Sequence, residues 1–106
     1  MFCKIYDINH NELLTFETDN FSEKMDVRRN EVNTILSCSL LTKDDIFTDK
    51  IINEFEPIMN ITLSLIEFYS NEKLIGEYTS YTKCSSVNAI YSQLTDKFEG
   101  VVNFSK

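Results

Sequence analysis

His10 is the single imidazole of the chain, and Cys3, Cys38 and Cys84 are its thiols. Thiol catalysis needs an imidazole beside a cysteine to take up its proton. His10 falls in Asn9–His10–Asn11, which reads as a turn, and no spacing ties it to a thiol. Cys38 falls on the apolar parity of a strand and reads as a small core residue. One histidine and widely separated cysteines make a poor zinc site. An odd cysteine count also argues against a disulfide framework. Asp45 and Asp49 are four residues apart and share a helix face with Asp44 nearby. Without glycine spacing or further oxygen donors they form no calcium loop and read as a solvated acidic face. Seventeen acidic residues offer many pairs for acid–base work and single out none. Gly76 and Gly100 stand alone, so no loop cradles a phosphate. The expectation is a protein with no catalytic residue, no metal and no cofactor, and no enzyme activity.

Tyrosines are the second group with a chemical use. Tyr69, Tyr78, Tyr81 and Tyr91 fall on or beside strands in the C-terminal half. Tyrosine is favoured in recognition surfaces, and it is also an ordinary strand residue that keeps its hydroxyl wet. The stretch Tyr78–Thr79–Ser80–Tyr81 is the place to expect a contact patch. Tyr69, Tyr78, Tyr81 and Glu77, with Asp44, Asp45 and Asp49 on the helix, are the candidate partner-binding residues.

Charge narrows the class of partner. The net charge is −7. Residues 1–53 carry six basic and ten acidic groups, and residues 54–106 carry four and seven, so neither end is a charged tail. A surface of this sign repels phosphate backbones, which argues against direct nucleic-acid binding. The basic cluster Lys24, Arg28, Arg29 is interleaved with Glu23, Asp26 and Glu31. No apolar run follows Met1, and the stretch Ile58–Phe68 is broken by Asn60, Thr62, Ser64 and Glu67. A cytoplasmic protein with no membrane span is therefore expected.

Several elements must position these residues. At 106 residues the chain is expected to form one domain. With two glycines and one proline, its turns fall to Asn and Asp. Residues 2–7 and 12–18 read as a hairpin with Phe2, Lys4 and Tyr6 on one face and Cys3 and Ile5 on the other. The polar segment 19–30 reads as a loop with a short helical turn. Residues 31–41 alternate as a half-buried strand, Val32, Leu36, Cys38 and Leu40 sharing one face. Lys43–Glu56 reads as the principal helix. Its supports are Thr42 as cap, early aspartates, the stripe Phe47, Ile51, Ile52, Phe55, and Pro57 as terminator.

Residues 61–69 read as a strand whose phase flips near Leu65–Ile66, through a bulge or through burial on both faces. Residues 74–81 form its return strand, 87–94 a strand with a helix as the alternative, and 101–104 a closing strand. The segments Asn11–Thr18 and Asn71–Thr79 echo each other, through shared hairpin chemistry or duplication. The fold expected is α+β: a mainly antiparallel sheet of five to seven strands with the 43–56 helix packed on it. The helix stripe is expected to meet Leu36, Leu40, Leu63 and Leu65.

These readings favour a small acidic protein-binding module that docks on a partner with a basic, nucleic-acid-binding surface. In size and charge the chain is similar to small inhibitors that phages direct against host nucleases and to immunity proteins that neutralise toxins. Residue usage rich in Asn, Ile, Lys, Phe and Tyr fits a low-GC bacterium, its phage or a mobile element. The alternative is a structural or assembly subunit, a phage-particle component or a homo-oligomer, since sheet edges can pair with another copy.

Overall fold

The computed structural model describes residues 1–41, 53–94 and 97–106. Eight strands run through them: β1 (Phe2–Asp7), β2 (Glu12–Glu17), β3 (Phe21–Arg28), β4 (Glu31–Leu40), β5 (Leu63–Ser70), β6 (Lys73–Tyr78), β7 (Lys83–Ser92) and β8 (Lys97–Ser105). They form two antiparallel four-stranded sheets, ordered β2-β1-β5-β6 and β3-β4-β8-β7. Alternation along each strand sends one set of side chains inward. Cys3, Ile5, Phe16, Leu63, Ile66 and Phe68 from the first sheet share the core with Leu36, Cys38, Leu40, Cys84, Val102 and Phe104 from the second.

This architecture corrects the expected α+β fold. The apolar face of each sheet is covered by the other sheet, and no principal helix is needed to close the core. Residues 53–55 are helical, and a 3₁₀ turn follows at Ile58–Asn60. The rest of the expected helix, with Phe47, Ile51 and Ile52, lies outside the described residues. Phe55 is buried in the core cluster that holds Leu36, Leu40 and Leu63. It meets Phe16 edge-on, ring centroids 5.4 Å apart.

Segment 19–30, expected as a loop, contains β3, whose polar residues alternate with apolar ones along a ladder with β4. Leu65, expected under the helix, faces outward, and Ile66 takes the inward place. The cause is a bulge. Tyr6 pairs with Leu65 and Asp7 with Leu63, leaving Ser64 as the extra residue. Its hydroxyl donates to the Asp7 carbonyl. Residues 83–92 are a strand, which resolves the choice left open for 87–94.

Turns follow residue chemistry. Arg29–Asn30 and Asn71–Glu72 each place two residues at positive φ, 51° then 65°. That is the primed two-residue turn that matches strand twist. In the β1–β2 turn His10 takes φ 61°, and the Asp7 carboxylate accepts from the Asn9 and Asn11 amides at 2.8 and 2.9 Å. Those amide bonds, the Asn11 one first, hold the Asp7 carboxyl below its usual range.

Candidate functional site

Outward-facing residues of the first sheet line up in rows across four strands. One row reads Glu17, Phe2, Tyr69, Leu74, and the next reads Thr15, Lys4, Glu67, Glu77. A third carries Glu12, Tyr6 and Leu65. Antiparallel register creates these neighbours, since residues directly opposite share a face. Tyr6 and Tyr69 both stand close enough to the Glu67 carboxylate to be raised by it. The Lys4 ammonium lies 5.2 Å from the centre of the Tyr69 ring, a cation–π distance. Desolvation first, then the neighbouring Glu67 carboxylate, push the Tyr6 phenol up to about 12. The Glu67 carboxylate leads the upward shift of Tyr69, with desolvation second.

Phe2 stays half exposed at 50%, and Leu74 and Ile75 at 46% each. A groove of about 620 Å³ runs between Phe2, Lys4, Thr15, Tyr69 and the Asn71–Glu72 turn. The face thus combines wet aromatic rings with Glu12, Glu17, Glu67 and Glu77 around a single lysine, Lys4. Such a surface stacks on and ion-pairs with guanidinium groups.

The outer face of the second sheet has an uncharged centre. Ser37, Ser39, Asn103, Ser105 and Ser86 populate it, with Lys24 and Lys83 on the edge strands. Asn103 Nδ2 donates to Ser86 Oγ at 3.0 Å, and Ser85 Oγ donates to the Asn103 carbonyl at 3.1 Å. These residues bring hydroxyls and amides without charge.

Of the residues singled out from sequence, Tyr69 and Glu77 meet on the first sheet's outer face. Tyr78 and Tyr81 do not join them. Tyr81 is 1% exposed, and Tyr78 packs against Phe68 and Phe21 at 6.0 and 6.1 Å. Burial, then the Glu23 carboxylate, raises both phenols. The Tyr78–Tyr81 stretch is therefore an internal aromatic cluster, with Tyr78 and Tyr81 ring centres 5.9 Å apart. Asp44, Asp45 and Asp49 lie outside the described residues. Phe2, Lys4, Tyr6 and Glu67 share this face and were not among the residues singled out. The shared parity of Phe2, Lys4 and Tyr6 was the signal for three of them.

The thiols converge where their spacing gave no hint. Cys3 from the first sheet lies near Cys38 and Cys84 from the second inside the shared core. All three are buried and unpaired. Burial raises the Cys3 thiol strongly, and it pushes Cys84 up to about 12. Cys3 and Cys84 are therefore held as thiols at neutral pH and are poor nucleophiles. His10 sits in the exposed β1–β2 turn and is not brought to them. Among the described residues no group of three His, Cys, Asp or Glu side chains is placed to hold a metal ion.

No protein-family model, curated protein or solved structure matches the chain. Among the described residues no helix is long and apolar enough to cross a membrane.

Proposed function

We propose that the chain is an acidic protein-binding module that uses the outer face of its first sheet to dock on a basic partner. A partner surface evolved to hold nucleic acid fits best, and occupying it inhibits that partner. One observation carries this reading: strand register sets Glu67 directly beside Glu77 on this face, in the row next to Tyr69 and half-exposed Phe2. Exposed aromatic rings supply contact area at low entropic cost, and carboxylates steer basic groups toward them. The charge of −7 acts over the whole approach.

Binding of an arginine-rich peptide, followed by calorimetry, tests it. The wild type is expected to bind and to weaken steeply between low and high salt. Glu67→Lys with Glu77→Lys should abolish binding, and Tyr69→Ala should weaken it about tenfold or more, the loss typical of an interface anchor. Binding that is flat with salt, or unchanged in both variants, sinks the proposal.

A further inference from the structure

Strands β2, β6, β3 and β7 are the four sheet edges. An open edge presents unpaired amides and carbonyls to any other strand, and bulges are one way of blunting it. The ladders that carry β2, β6 and β7 each contain a register shift. The β3–β4 ladder has none: it runs in register over eight pairs, from Phe21–Cys38 to Arg28–Glu31. Only Leu36 to Leu40 of β4 pair with β8, so the β3–β4 hairpin extends past the rest of its sheet. On that extension Met25, Val27 and Val32 are 72%, 64% and 59% exposed. They lie on the parity of Phe21, Leu36 and Cys38, so they continue the core face beyond its cover.

The turn geometry says which backbone groups are free. A two-residue turn makes Arg28 and Glu31 a hydrogen-bonded pair. Strand alternation then directs the amides and carbonyls of Ser22, Lys24, Asp26 and Arg28 toward β4, and those of Glu23, Met25 and Val27 outward. The Asn20 carbonyl, which accepts from the Ser39 amide at 3.1 Å, fits the same phase.

We propose that this chain forms a twofold dimer by antiparallel pairing of β3 with β3 of a second copy, centred on Met25. A twofold axis normal to the sheet keeps each face on its own side, so only alternate registers are allowed. Centring on Met25 sets Lys24 opposite Asp26 of the second copy, twice. It sets Met25 opposite Met25, and Glu23 opposite Val27 in both directions, which pairs every outward backbone group of these three residues. Centring on residue 24 opposes Lys24 to Lys24. Centring on residue 26 opposes Asp26 to Asp26 and Lys24 to Arg28. Like charges directly opposite are destabilising. Centring on Val27 runs off the end of the strand at Arg28. Centring on residue 23 opposes Glu23 to Glu23, and centring on residue 22 overlaps only Phe21 to Glu23. Among registers that overlap more than three residues of β3, its charges therefore admit one. The dimer also brings two sets of Met25, Val27 and Val32 together into a shared apolar strip.

Sedimentation of the full chain across micromolar to millimolar concentrations tests this. The wild type is expected to show a monomer–dimer equilibrium. Met25→Pro removes an outward amide and no β4 ladder bond, so it should leave the monomer folded and raise the dimer Kd by about a hundredfold or more. Lys24→Asp and Asp26→Lys should each raise Kd about tenfold, about 1.4 kcal/mol. The double swap Lys24→Asp/Asp26→Lys should recover it. Circular dichroism confirms that each variant is folded. A wild type that stays monomeric throughout overturns the proposal and leaves this edge to a strand of a different protein. Unchanged Kd values in Met25→Pro or in both single swaps overturn it as well. The basic-partner reading stands or falls separately, because it uses the outer face of the other sheet.

Discussion

Residues 1–40 and 63–105 trace the same path. Each half lays a hairpin in the first sheet and then a hairpin in the second, and the halves meet through β1–β5 and β4–β8, both antiparallel. Their corners are tied alike. In the first half the Thr18 amide donates to the Met1 carbonyl, and the Ser39 amide donates to Asn20. In the second the Leu63 amide donates to the Thr82 carbonyl, and the Thr82 amide donates to Ser105. The halves differ in what fills the shared inner row, which reads Phe16, Cys3, Phe68, Gly76 across β2, β1, β5 and β6. Large and small side chains alternate. The first half supplies its own ring at the edge, whereas the second leaves a gap at Gly76 that Phe21 of β3 enters. The Phe21 ring stacks on Phe68 at 4.0 Å and 9°. One backbone plan thus tolerates two packing solutions, provided the row keeps its total volume.

Truncating the two large rings gives the largest effect. Phe68→Ala is expected to cost about 3–5 kcal/mol, because Phe68 is fully buried among Phe21 and Tyr78. Phe16→Ala should cost less, since Phe16 is 8% exposed at an edge strand. Urea denaturation measures both. Equal losses would break the claim that the second half's end of the row is the more tightly filled.

Filling the gap is the sharper test. A Cβ on Gly76 would stand 2.9 Å from Cε2 and Cζ of Phe21, and that ring is held from behind by Phe68. Gly76→Ala is expected to destabilise by about 1–3 kcal/mol. With Phe21→Leu also present, the added methyl has room. The double variant should then lose less than the sum of the singles, by about 0.5 kcal/mol or more. Strict additivity would mean that Phe21 is not what keeps position 76 a glycine.

The same contrast shows how much was legible in the residues. Period-2 alternation marked β1, β2, β4 and β5 because most of their inward positions are apolar. The echo between Asn11–Thr18 and Asn71–Thr79 fell on hairpins that occupy equivalent places. β3 escaped because Glu23 interrupts its inward stripe and Met25 and Val27 lie outside the covered core, so its polarity read as loop. That strand completes the second sheet as the hairpin partner of β4. On the candidate face, Tyr69 and Glu77 were legible as exposed strand positions. The phase flip near Leu65–Ile66 already put Glu67 opposite Ile66 and Phe68 in parity, but only the β1–β5 register brings it beside Lys4 and Tyr6. Tyr78 and Tyr81 misled because amphipathic rings suit a core and a surface equally.

The smallest effect tests an outer-face contact where both halves meet. Glu67 of the second half raises Tyr6 of the first as well as Tyr69 beside it. The folded state holds the Tyr6 proton up to about pH 12, against 10 for the free phenol. Between these values the folded chain binds more protons than the unfolded chain, so stability must fall as pH rises. The contribution is complete below about pH 10 and gone once pH passes the folded value. Tyr78, Tyr81, Cys3 and Cys84 are shifted the same way by burial and add a background decline. Glu67→Gln removes the charge beside both outer phenols and leaves the buried groups untouched. Its melting temperature is therefore expected to fall less steeply than the wild type's between pH 10 and 12. Parallel curves would mean that Glu67 does not couple the halves, and that the alkaline loss comes from burial of the tyrosines and thiols.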